Sequence, residues 1–177
     1  MTVKLKAVRG RLVGPRFDAP AESAITAQAF KAPGGPEDAA VDHDALLPWL
    51  RQEAFKYDQD PTVRLGDAIY YVPRRAEVEQ LLERSLLDRR EWLEERHDCD
   101  DFAYVLKGEA SSHAYDAPGL RFGLCLGIAW GHFDWARGYH AINWALTSDA
   151  GLLLIEPQSD ELYEPYRCSG GVDLILV

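Results

Sequence analysis

The chain has 177 residues, 47% hydrophobic and 27% charged, which is the composition of one ordinary globular domain able to bury a core without covalent staples. A formal net charge of −10 disfavours nucleic acid and anionic membrane as partners, because both repel an acidic surface. Three scattered cysteines (Cys99, Cys125, Cys168) are too few for a disulfide framework or a Cys-rich zinc site, and their odd number leaves at least one free thiol.

Taken in order, Met1 to Lys6 carries basic residues but no apolar run behind them, so no signal peptide is read and a cytoplasmic location is expected. No segment reaches transmembrane length. Residues 3–13 alternate apolar and basic, which predicts a half-exposed strand, and 18–40, rich in Ala, Pro and Gly, predict an irregular arm. The expected organisation is a single domain over 1–177, with 1–40 as strand and arm and 41–177 as a catalytic core.

Asp44 to Phe55 predicts a short helix with Pro48 in its first turn, and Tyr57 to Asp67 a polar loop. A strand follows at 68–72. Pro73 then opens a helix from Arg74 to Leu87 that turns Val78, Leu81, Leu82 and Leu86 to one face. Arg89 to Glu95 predicts a second helical piece with Trp92 and Leu93 inward. The next helix starts at Cys99 and is expected to end near Gly108, leaving His113 and Asp116 in a loop. Arg121 to Trp130 predicts a buried strand with Cys125 as inert filling, and Gly131 to Gly138 a turn. Tyr139 to Leu146 and Leu152 to Glu156 predict a hairpin across Thr147–Gly151; short strands are expected at 161–166 and 172–177.

The run Arg96-His97-Asp98-Cys99-Asp100-Asp101-Phe102-Ala103 departs furthest from what folding alone requires. Asp98 is the expected N-cap, which puts Cys99 in the first helical turn, where unpaired N–H groups favour a thiolate. The flanking aspartates oppose this, since negative charge raises a thiol pKa. Either something neutralises them or Cys99 is not a nucleophile, and a hard cation, which prefers carboxylate oxygens, would settle the conflict. Downstream, the hairpin carries His140 on its first strand and ends its second at Glu156, before Pro157. The order Cys, His, carboxylate then supplies a nucleophile (Cys99), a base (His140) and a group that orients it (Glu156). Asn143 is the substitute orienter, and His132 is the runner-up base.

Cysteine on a helix, His140-Ala141-Ile142-Asn143 on a strand, a hairpin, and Glu156-Pro157-Gln158 together resemble the transglutaminase-like branch of the papain-like cysteine peptidases. Asp98-Cys99-Asp100-Asp101-Phe102-Ala103 is similar to the pattern of calcium-dependent bacterial transglutaminase-like proteinases. Glu156 before Pro157-Gln158 looks more like the calcium-activated protease domain attached to a mushroom lectin. The resemblance covers roughly residues 65 to 160 and implies an α+β fold with the nucleophile helix packed on an antiparallel sheet.

It further implies a calcium-activated peptidase acting on a protein or peptide substrate through Cys99, His140 and Glu156. Trp92 would wall the cleft, and calcium would be held by Asp98, Asp100 and Asp101, with Gln158 completing the oxygen set. Without the resemblance the aspartates read as ordinary helix-start charges, and Trp92 as core. Self-association into a homodimer is a further expectation. The rivals are acyl transfer on the same triad and a non-catalytic calcium-binding interaction module, the latter favoured if Trp92, Trp130 or Trp135 blocks the cleft.

Overall fold

The computed structural model describes residues 39–55 and 60–177; the strand expected at 3–13 and the arm up to residue 38 lie outside them. Strand β1 (Ala40–Asp42) pairs antiparallel with β3 (Ile69–Tyr71). The remaining strands are β2 (Thr62–Arg64), β4 (Leu126–Phe133), β5 (Tyr139–Thr147), β6 (Gly151–Glu156), β7 (Glu161–Tyr163) and β8 (Cys168–Leu176). They form one six-stranded sheet in the order β2-β8-β4-β5-β6-β7. Every pairing in it is antiparallel except β2 with β8.

Helix α1 (His43–Trp49) starts where the Asp42 carboxylate accepts the Ala45 N–H at 2.8 Å, and it passes into a π-helical stretch at Leu50–Ala54. α2 (Arg75–Arg84) and the long α3 (Cys99–Asp116) lie on the opposite side of the sheet. The alternation of β5 explains both sides. Ile142, Trp144 and Leu146 enter a core with Leu46, Leu50, Tyr70 and Phe133, whereas Ala141 and Ala145 face α3, the latter beside Phe102, Leu106 and Ile155. Each fully buried Phe or Leu of this kind contributes about 2 kcal/mol of transfer free energy.

The close approach of β4 to its neighbours depends on Gly127. A Cβ there would run into the Leu176 carbonyl and stand 2.7 Å from the Trp144 ring.

Several expectations are corrected. The sheet is mixed rather than antiparallel, because Thr62–Arg64, inside the expected polar loop, pairs in parallel with β8; three residues are too short to show alternation. The piece at 89–95 is not helical: a 3-10 turn at Leu87–Arg89 leads into a bridge between Leu93 and His97, and Trp92 is 49% exposed rather than inward. α3 continues past Gly108 to Asp116, so His113 and Asp116 are helical. A side chain at Gly108 would meet open space, and the residue ends nothing. β4 takes in Gly131 to Phe133, expected as a turn, and β8 begins at Cys168, earlier than expected. Among the described residues no helix is long and apolar enough to cross a membrane.

Candidate functional site

Three elements converge at one rim of the molecule. Cys99 is the first residue of α3 and is partly exposed, behind the Asp98 N-cap, whose N–H donates to the Asp101 carboxylate at 3.2 Å. His140 lies near the start of β5. The β5–β6 register pairs Asn143 with Ile155, which sets Glu156 across from Ile142, diagonal to His140 on the same face.

The result is a close contact. His140 Nε2 and Glu156 Oε2 are 2.7 Å apart, and the Cys99 thiol is close enough to the imidazole to act on its pKa. Burial alone would push the imidazole pKa down. The contacts with Cys99 and Glu156 and the charge of both partners outweigh it and raise the pKa to about 9. Glu156 is only 8% exposed, and each oxygen is engaged. Oε2 also accepts from Trp135 Nε1 at 3.3 Å, and Oε1 from the Gln158 N–H at 3.3 Å. Cys99, His140 and Glu156 are thus brought together as the spacing predicts.

The other cysteines are set apart. Burial pushes Cys125 up to about 12 and Cys168 up to about 11, so neither offers a thiolate.

Asn143 is not an orienter. It is fully buried on the α3 side, where Nδ2 donates to the Ala103 carbonyl of α3 at 3.0 Å and to the Gly127 carbonyl of β4 at 3.1 Å. His132 is exposed on β4, with Nδ1 3.2 Å from the Gly138 carbonyl rather than beside a carboxylate.

Of the expected metal ligands, Asp98 and Asp100 converge, with their oxygens and the Cys99 sulfur within 4.8 Å of one another. The hydrogen bond with Asp98, partial burial and the Asp98 charge raise the Asp100 pKa. Asp101 turns back to the Asp98 N–H, and Gln158 contributes its backbone N–H to Glu156. Reading residues singly missed Trp135 as a donor to Glu156, and also the aromatic pair Tyr104 and Trp130, whose ring centroids are 5.8 Å apart. Tyr104 follows Asp100 by one helical turn, which is the one signal the sequence offered for that pair.

Two solved structures share the fold of this chain. A PSL1a–E64 complex matches with a TM-score of 0.66 and 25% identity, over 80% of this chain and 51% of that one. Polyporus squamosus lectin bound to the human-type influenza-binding epitope Neu5Acα2-6Galβ1-4GlcNAc matches with a TM-score of 0.65 and 24% identity, over 80% of this chain and 50% of that one. The chain therefore spans about half the length of these structures. Residues 70–162, more than half of the chain, match the Agglutinin C-terminal family model, and the chain belongs to that family. No curated protein sequence matches it.

These findings correct the expectations drawn from the Cys-His-Glu pattern. The family is an agglutinin family rather than the papain-like or transglutaminase-like cysteine peptidases, and the sheet-rich fold is similar to about half of the solved lectin rather than to a papain-like helix on a sheet. The assignment as a hydrolase with a protein substrate gives way with them. The physical reason is that three short segments in the order thiol, imidazole, carboxylate can be hosted by unrelated frameworks, so they do not identify one.

Proposed function

We propose that the chain is an agglutinin-type interaction domain whose ligand is a carbohydrate, held where the start of α3 meets β4. One observation carries this reading: an aromatic pair, Tyr104 half exposed and Trp130 partly buried, beside two carboxylates. Asp100 and Tyr104 share a face of α3, and Trp130 of β4 stands against Tyr104 and packs on the same small cluster as Cys99. Tyr104 is 50% exposed, so its ring offers an apolar face to the C–H side of a sugar, while Asp98 and Asp100 accept hydrogen bonds from hydroxyls. The family and the glycan in the similar lectin support the same class of ligand. Because the carboxylates are negative, a neutral sugar fits better here than a sialylated one. Titration of the 177-residue chain with Galβ1-4GlcNAc and with the sialylated trisaccharide, followed by amide and indole NMR shifts, tests this. Shifts at Asp100, Tyr104 and Trp130 with the neutral sugar, lost in Tyr104→Ala, are expected; no perturbation by either sugar at millimolar concentration would overturn the reading.

A second reading rests on the 2.7 Å contact of His140 with Glu156 and on the nearness of the Cys99 thiol to the same imidazole. In it Cys99 is a reactive thiol, His140 holds its proton, and Glu156 fixes the ring. Limiting iodoacetamide, or the epoxide E64 present in the similar complex, should label Cys99 at least tenfold faster than Cys125 or Cys168. Equal rates would remove this reading and leave the first intact.

Calcium belongs to the same proposal. Asp98 and Asp100 repel one another, and their oxygens suit a hard cation, whereas the Cys99 sulfur between them does not. Bound calcium would neutralise the charge beside the thiol. A rise in melting temperature on adding calcium, absent in Asp98→Asn, is the expected outcome.

A further inference from the structure

Glu156 has a long side chain, with rotamers to lose when it is held in one place. The question is what holds it. The Gln158 N–H takes Oε1 at 3.3 Å, which leaves Oε2, the oxygen facing His140, to be fixed by something else. Trp135 does this: its indole N–H donates to the same Oε2 at 3.3 Å.

Trp135 is itself clamped. It lies in the turn between β4 and β5 and stacks on Tyr163 of β7, with ring centroids 4.0 Å apart and planes at 17°. It also stands 5.2 Å from Phe133, and the Arg167 guanidinium lies 5.9 Å from its ring. Arg167 fixes the turn a second way, donating Nε to both oxygens of Asp134 at 2.9 and 2.6 Å, while the Asp134 N–H donates to the Arg167 carbonyl at 3.0 Å. A turn of this length would otherwise be among the more mobile parts of the molecule. Here stacking, a cation over the ring and an ion pair set the indole where its one donor meets one carboxylate oxygen.

We infer that Trp135 is a positioning residue: it holds Glu156 Oε2 against His140 and through it sets the imidazole that faces Cys99. This rests on the reading of Cys99 as a reactive thiol. Removing the donor frees Oε2 to rotate away from Nε2, so the imidazole loses its fixed orientation although no side chain touching Cys99 has changed.

The test uses the full chain with Trp135→Phe, which retains an aromatic stack on Tyr163 and deletes the N–H. A second variant, with benzothienylalanine at 135, replaces only the N–H by sulfur and covers the case in which the phenyl ring fails to fold. Two readouts are taken: the rate of Cys99 alkylation by iodoacetamide, and the proton resonance of the His140 ring N–H that donates to Glu156. The expected result is a fall of about tenfold in rate, the loss expected for one hydrogen bond to a charged group, with an upfield shift or loss of the ring resonance. A folded variant with an unchanged rate and an unchanged resonance would overturn the inference. A wild-type Cys99 no faster than Cys125 and Cys168 would instead overturn the reactive-thiol reading, so the two failures are distinguishable.

Discussion

Cys99 and Ala103 are one turn apart on α3, yet they belong to opposite kinds of environment. At Ala103 the helix meets the sheet in a dry seam: Ala103, Asn143 and Ala145 have no exposure, and Asn143 ties the helix to β4 through two carbonyls. At Cys99 the same helix ends in a rim of partly exposed groups where Asp98, Asp100, His140 and Glu156 gather. The contrast teaches that position and chemistry are supplied by different residues. Uncharged groups fix where the helix start lies, and charged groups one turn away act there.

The sharpest way to break that division is through the seam. Gly127→Ala places a methyl group against the Leu176 carbonyl and the Trp144 ring, and is expected to cost about 3 kcal/mol or more in urea unfolding. A smaller effect is expected from Asn143→Leu, about 2 kcal/mol, because the Gly127 carbonyl loses its amide donor while the Ala103 carbonyl keeps its helical position. If α3 shifts as a result, Cys99 labelling should slow although the rim residues are untouched.

The rim responds to pH rather than to volume. His140 has its pKa raised from 6.5 to about 9 in the folded state, so its contribution to stability is complete below about pH 6.5 and is lost as pH rises through 9. Melting temperature should therefore decline across that window, and His140→Gln should flatten the decline. A wild-type curve that stays flat from pH 6.5 to 9 would contradict the ion pair.

The smallest effect is expected in the turn between β6 and β7. Burial, then the charges of Asp88 and Glu109, raise Asp160 from 3.8 to about 6, so the folded state is penalised above pH 6 and relieved as pH falls toward 3.8. Asp160→Asn, tolerated at a φ of 58°, should raise the melting temperature slightly at pH 7.5, with the gain fading by about pH 4. Both groups lower stability as pH rises, and the separate windows, 3.8 to 6 for Asp160 and 6.5 to 9 for His140, make Asp160 the control for the His140 decline.

Much of the site was legible because its signals are local. A carboxylate before Cys99 marks a helix start, and the turn residues at 147–151 mark a hairpin, whose register then sets Glu156 near His140. What escaped reading depends on contacts made elsewhere in the fold. Asn143 follows His140 in a pattern suggesting an orienting role, but strand alternation turns it to the helix. Trp135 lies in a turn, and only the arrival of Tyr163 and Arg167 gives its N–H a target. Trp92 has an apolar ring and an ordinary expectation of burial, yet it is half exposed because its segment closes as a bridge rather than a helix. The family was the least legible of all: a three-residue constellation reports the local chemistry and leaves the surrounding framework open.

The parallel pairing of β2 with β8 has a consequence for biosynthesis. β8 is an inner strand, flanked by β2 and β4, and Val63 sits opposite Ile175. While the chain is emerging from a ribosome, β2 therefore waits from Arg64 and β4 from Phe133 until β8 is made, each with an open hydrogen-bonding edge. The sheet can close only when residues 168–176 have cleared the exit tunnel, and until then the nascent chain is the form most exposed to capture by chaperones.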